Sequence, residues 1–152
     1  ENSFEDFEVG TVMRHVRGKT MCEQDNVGIT LQVLNTAEGH FNEHVMQQNS
    51  MGREGWNARL QFGGLTISMI IGMSMQDTGE NALKELSLDK IRLKNPVFHG
   101  DTLYAFSEVL EKQDAGREDA GIVKFKHYGV NQDDKVVFEG ERRVLIKRRP
   151  SR

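Results

Sequence analysis

Between residues 83 and 147 the chain passes through four stretches in which apolar and polar residues alternate, a pattern that leaves few folds open. The first is 83–94, with Leu86, Leu88, Ile91 and Leu93. The others are 102–112 with Leu103 and Val109, 120–130 with Ile122, Phe125 and Tyr128, and 135–147 with Val136, Phe138, Val144 and Ile146. Successive side chains of a strand point to opposite faces, so a period near two is what a half-buried strand requires. Turn-forming residues separate the runs at Pro96, Gly100-Asp101, Ala115-Gly116 and Asn131-Gln132-Asp133-Asp134. The pattern predicts an antiparallel meander in the C-terminal half.

Segment 65–76 fits two readings. Leu65, Ile67, Met69, Ile71, Met73 and Met75 alternate with small or polar residues, as in a strand. The run is nevertheless long for a strand and ordinary for a helix. Gly64, Ser68 and Gly72 also fall at i, i+4 and i+8, a small-residue stripe that would let a helix lie close against a sheet. Periodicity alone leaves these readings even. Residues 22–34 predict another helix, opposed by Gly28 and several β-branched residues.

The chain has 152 residues, which suits one domain over 1–152 with a core large enough to fold without disulfide or metal staples. No internal repeat, low-complexity tract or linker divides it. The formal net charge of -3 gives no global excess of positive charge. Arg142, Arg143, Lys147, Arg148, Arg149 and Arg152 make the C-terminus basic, but no aromatic platform interleaves them. This run reads as a solvated strand and tail, and nucleic acid is not an expected partner. Cys22, the single cysteine, cannot form an internal disulfide, which fits a reducing compartment. There is no basic-then-apolar leader, and no apolar stretch approaches the roughly 20 residues that span a bilayer. The start lacks an initiator Met, so a removed leader stays open. The expectation is a soluble, cytoplasmic protein with no membrane partner.

Chemistry concentrates in three places. Asn35-Thr36-Ala37-Glu38-Gly39-His40 sets an amide and an imidazole five positions apart, Phe62-Gly63-Gly64 precedes the ambiguous segment, and Asn95-Pro96-Val97-Phe98-His99-Gly100-Asp101-Thr102-Leu103 forms a strand-turn-strand signature. With Phe4-Glu5-Asp6-Phe7-Glu8-Val9-Gly10 and Asp25-Asn26, these motifs resemble the MaoC-like (R)-specific enoyl-CoA hydratases over nearly the whole chain. Asn35-Thr36 and Phe98-His99-Gly100-Asp101-Thr102 are similar to the branch acting on short dicarboxylic acyl-CoAs such as mesaconyl-CoA or itaconyl-CoA. The resemblance implies an α+β hotdog fold, a long central helix wrapped by a curved antiparallel sheet, and it tips 65–76 toward helix. It also implies a homodimer or higher homo-oligomer with an acyl-CoA substrate. No metal or separate cofactor is implied, coenzyme A being part of the substrate.

Hydrating a 2-enoyl thioester adds hydroxide character at C3 and a proton at C2, while negative charge develops on the thioester oxygen. A histidine suits the base, since an imidazole ordinarily titrates near 6.5. By resemblance that residue is His40. Gly64, helped by Gly63 after Phe62, would offer backbone N–H groups to the oxyanion at a helix N-terminus. Two positions depart from the family: Asn35 stands where it has Asp, and Gly72 where it often has Ser. Asn35 cannot take a proton, but it can accept from and donate to a water. Either His40 performs both proton transfers with Asn35 orienting water, or only acyl-CoA binding remains. A hotdog thioesterase is a third reading.

Around this core, 48–60 reads as a loop that could close over substrate, and Arg53 or Arg59 could pair with a second carboxylate on the acyl group. Lys90, Arg92 and Lys94, at i, i+2 and i+4, would share one face of a strand, either gripping CoA phosphates or simply solvated. His99 reads as packing, and Met69, Met73 and Met75 as core filling. His40-Phe41-Asn42-Glu43-His44 matches the His-x-x-Glu-His zinc motif, which on one helix would let His40 and His44 bind zinc with Glu43 as base.

Overall fold

The computed structural model describes residues 2–49 and 56–150. Five strands form one antiparallel sheet: β1 (Val12–Thr20), β2 (Ala82–Leu93), β3 (Thr102–Arg117), β4 (Ala120–Val130) and β5 (Val136–Lys147), in the order β1-β3-β4-β5-β2. Strands β3, β4 and β5 are the predicted meander. β2 does not adjoin β3 but lies along the far side of β5, which leaves the free edge of β3 to β1. The sequence pattern does not mark β1, because its register shifts between Arg14 and Gly18 and His15 is its one buried residue.

Among the described residues the α-helices are α1 (Glu23–Gln32), α2 (Glu43–Asn49) and α3 (Gly63–Thr78). α1 forms despite Gly28 because its first turn is capped. Asp25 accepts hydrogen bonds from the backbone N–H and thiol of Cys22 and from Lys19, and these hold its carboxyl below the usual range. α3 is the long helix against the sheet, and it faces the strands with Thr66, Ile70, Ser74 and Thr78, one residue per turn. The stripe of Ser68 and Gly72 points away, exposed, with nothing within 4 Å of where a Cβ on Gly72 would sit. Close approach comes instead from a glycine in the sheet: a Cβ on Gly129 of β4 would lie 2.6 Å from the Ile70 side chain. The stripe expected to seat the helix is therefore free for another surface.

The buried face of β3 and β4 carries the odd-numbered residues, such as Leu103, Ala105 and Val109, then Val123 and Phe125, while Ile122 and Tyr128 stand half-buried on the other face. The core has two parts. One gathers Phe4, Phe7, Val109, Val123, Phe125, Val144 and Ile146, and the other Met21, Ile70, Val97, Leu103, Ala105, Val137 and Phe138. Between them along the strands lie Ser107, His127 and Arg142, all buried. Arg142 thus departs from the solvated basic run: it is 2 % exposed and paired with Glu85 of β2. Arg148 and Arg149 bind Glu5 and Asp6, tying the end of the chain to its beginning. β2 is more open than its alternation implies, with Leu86, Leu88, Ile91 and Leu93 between 39% and 54% exposed, because it is an edge strand beyond the cover of α3. Among the described residues, no helix is long and apolar enough to cross a membrane.

Candidate active site

The C-terminus of α1 delivers Asn35. Leu34 turns into the left-handed region at φ 59, with its N–H bonded to Leu31 O, while the Asn35 N–H reaches back 3.0 Å to Thr30 O. This pair of bonds is a Schellman closure, a position where glycine is usual and a leucine costs about 1 kcal/mol of backbone strain. Asn35 then accepts the Ala37 N–H on Oδ1 at 2.9 Å. That bond identifies which end of the amide is oxygen and leaves the NH2 group free to donate.

A 3-10 turn over Glu38–His40 follows and presents the imidazole. Nδ1 of His40 is 2.8 Å from Leu60 O. A carbonyl only accepts, so Nδ1 carries the proton and Nε2 is the bare nitrogen that can take one. The ring stands edge-on to Phe62, centroids 5.8 Å apart.

Phe62 is the N-cap of α3, and Gly63 and Gly64 are its first two helical residues. Helix geometry leaves their N–H groups without intrahelical acceptors. No acidic residue lies in this first turn to offset the positive end of the helix dipole. A Cβ on Gly64 would run into the Phe62 ring and one on Gly63 into the Leu93 side chain, so either substitution would have to displace its neighbour.

These groups share one cavity of about 440 Å³, whose wall includes Asn35, His40, Phe62, Gly63 and Gly64, then Trp56, Thr66, Lys94, Asn95 and Pro96. Other candidates lie elsewhere or are already engaged. Arg59 faces a second cavity of about 310 Å³, where Glu43 and Glu23 both hold its guanidinium. Arg53 lies outside the described residues. A bulge with Lys90 at φ 49 interrupts the alternation of β2, so Lys90, Arg92 and Lys94 do not form an uninterrupted row. Lys90 is bonded to Glu141, which holds its ammonium pKa up, and Lys94, just past the strand, pairs with Glu139 and alone of the three lines the cleft. His99 is exposed on the rim of the second cavity rather than packed. Gly72 lies on the exposed side of α3, away from His40.

The zinc arrangement does not form. His40 ends the 3-10 turn while His44 belongs to α2, which begins at Glu43, so the motif does not occupy one helix. Among the described residues, no three His, Cys, Asp or Glu side chains converge as metal ligands.

Sequence reasoning passed over two residues here. Asn26 is 7% exposed, and its side chain bonds three main-chain groups around the site. Gln61, 5% exposed, lines both cavities, donates to Thr66 Oγ1 at 2.7 Å, and leaves Oε1 buried with no partner among the described residues. Each is a buried amide in a stretch whose composition gives no sign of burial. The one available signal was Asn26 itself, a residue disfavoured inside helices unless its side chain has work elsewhere.

A curved antiparallel sheet around a long helix is the hotdog architecture. A Mycobacterium tuberculosis protein with a double hotdog fold matches at TM-score 0.84 and 21% identity, over 99% of this chain and 46% of its own. A MaoC-domain protein of Chloroflexus aurantiacus matches at TM-score 0.87 and 31% identity, over 98% of this chain and 45% of its own. Residues 2–148 fit the profile described as mesaconyl-CoA hydratase, and the chain belongs to that MaoC-like family. The β-methylmalyl-CoA dehydratase of C. aurantiacus is 33% identical over 96% of this chain and 44% of the relative. The chain spans less than half the length of the curated hydratase and dehydratase relatives it matches.

Proposed function

We propose that this chain catalyses the reversible hydration of a short 2-enoyl-CoA, with His40 as base, Asn35 orienting the water and Gly64, helped by Gly63, receiving the thioester oxygen. The observation that carries this reading is the pairing, in one cavity, of His40, its Nδ1 proton held by Leu60 O, with the two amides that open α3. Nε2 takes a proton from water as its oxygen bonds to C3, and the C2–C3 π electrons move onto the thioester as an enolate held by the amides. The same nitrogen then returns the proton to C2, so no second acid is needed and Asn35 need not titrate. The NH2 of Asn35 donates to the attacking water, keeping its lone pair toward C3.

The names of the matched family and relatives favour a branched dicarboxylic acyl group. Lys94 in the cleft wall would meet the phosphates of coenzyme A. Two hotdog units work together in this reading, as a homodimer or multiple of it. The exposed side of α3 at Ser68 and Gly72 is the surface we assign to that pairing. The exposed free thiol of Cys22 fits the cytoplasm.

The test is a panel of mesaconyl-, itaconyl- and crotonyl-CoA, following loss of the conjugated-thioester absorbance together with released thiol. Hydration without thiol release, lost in His40→Ala and reduced in Asn35→Ala, is the expected result. Thiol release would make the protein a thioesterase, and binding without turnover would leave an acyl-CoA-binding module.

A further inference from the structure

Asn26 sits in the second cavity's wall rather than the cleft's, yet its amide reaches three segments that build the site. Nδ2 donates to His40 O at 2.9 Å and to Leu60 O at 3.2 Å, while Oδ1 accepts the Phe62 N–H at 2.7 Å. Leu60 O is also the acceptor that holds the Nδ1 proton of His40, so Asn26 and His40 share its two lone pairs. One short side chain therefore ties together the turn bearing the base, the carbonyl that sets the base's tautomer, and the cap of the helix bearing the oxyanion amides. The task needs two donors and one acceptor on a single arm, which a primary amide supplies and a carboxylate or hydroxyl of similar length does not.

We infer that Asn26 is a positioning residue of this site, setting the separation between His40 Nε2 and the Gly63 and Gly64 amides and, through Leu60 O, how firmly the His40 Nδ1 proton is held. Its kinetic consequences rest on the hydratase reading, but its effect on the His40 ring does not. Few other charges face that ring. In the cleft the one other ionisable side chain among the described residues is Lys94, already paired with Glu139, and the first turn of α3 carries none. Glu38 of the same turn is exposed, and Glu43 of α2 is committed to Arg59.

Asn26→Asp keeps the volume and the bond from the Phe62 N–H, but it loses both donors and sets a carboxylate near the imidazole. The His40 ring, followed by NMR without substrate, should then titrate at higher pH than in the wild type by about half a unit or more. The acid limb of kcat/KM should move with it. Asn26→Ala should lower kcat about 100-fold while KM stays within about 2-fold, because geometry is lost at groups that act in the transition state and no cleft wall is removed.

A merely structural Asn26 would lower Tm in both variants yet leave the kcat of the folded fraction, and in Asn26→Ala the His40 titration, at wild-type values, and that outcome overturns the inference. Should Asn26→Ala fail to fold, the near-isosteric Asp variant decides alone. A shifted His40 titration in a protein that hydrates no enoyl-CoA would support the positioning role while removing the hydratase reading. An unshifted ring in an active hydratase would do the reverse.

Discussion

Ser107 Oγ lies 2.7 Å from His127 Nδ1 across neighbouring strands, one link in a chain of hydrogen bonds whose direction is determined from end to end. Arg142 can only donate, so His127 Nε2, 3.3 Å away, accepts and the His127 proton sits on Nδ1. His127 donates to Ser107, the Ser107 hydroxyl donates 2.7 Å to His15 Nε2, and His15 Nδ1 donates 2.6 Å to Asp77. Glu85 holds Arg142 at the other end through bonds of 2.8 and 2.6 Å. His15, Ser107, His127, Arg142 and Glu85 come one from each strand in sheet order. Asp77 and Thr78, in the last turn of α3, bind the two arms of the chain. The belt runs between the two parts of the apolar core and clamps the helix to the sheet.

This belt makes the fold acid-sensitive. Burial, helped by the charge of Arg142, lowers the His127 pKa to about 3. The unfolded chain protonates that imidazole near 6.5, so stability is fully present above that pH and falls as pH drops from about 6.5 toward 3, by up to about 1.4 kcal/mol per unit. Urea unfolding at pH 7, 6 and 5 should show this slope, and His127→Gln, which can still accept and donate, should flatten it by about one proton.

Gly64→Ala tests the close packing that holds the opening of α3 beside His40. Alanine suits a helix better than glycine by about 1 kcal/mol, but its Cβ would displace the Phe62 ring, which packs against His40. Steady-state kinetics should show kcat lowered about 10- to 100-fold with Tm nearly unchanged. Full activity would show that the Phe62 ring can move without disturbing His40 or the amides.

Arg59 carries the dicarboxylate question. Its guanidinium is already held by Glu43 and Glu23, so a substrate carboxylate would have to share it. Arg59→Ala should weaken hydration of mesaconyl-CoA more than of crotonyl-CoA, and equal losses on both would leave Arg59 a tie between α1 and α2.

The outward stripe on α3 bears on assembly. Gly72 has open space around it, so Gly72→Arg should leave the fold and its CD spectrum intact. If α3 is the pairing surface, light scattering should show the variant as monomer where the wild type is dimer. A dimeric variant would move the interface elsewhere.

Much of the architecture was legible along the chain. The alternation over 102–147 marked β3, β4 and β5, and the motif resemblance resolved 65–76 as a helix where periodicity could not, since Ile67, Met69, Ile71 and Met73 alternate in sequence yet lie on a helix. β1 escaped notice because its bulge breaks the alternation and its one buried side chain is a histidine. The basic C-terminal run concealed Arg142, whose burial depends on Glu85, 57 residues away.

By itself the sequence determined the strand-forming segments, the position of the imidazole and the glycine pair, and the family, because these depend on neighbours a few residues apart. Only the tertiary structure decided that β2 lies beside β5, that Gly129 rather than the helix stripe admits α3, and that Asn26 joins His40, Leu60 and Phe62. Those relationships are hydrogen bonds and contacts spanning 14, 34 and 36 residues or more. They depend on how the folded backbone returns on itself, which no local pattern of polarity encodes.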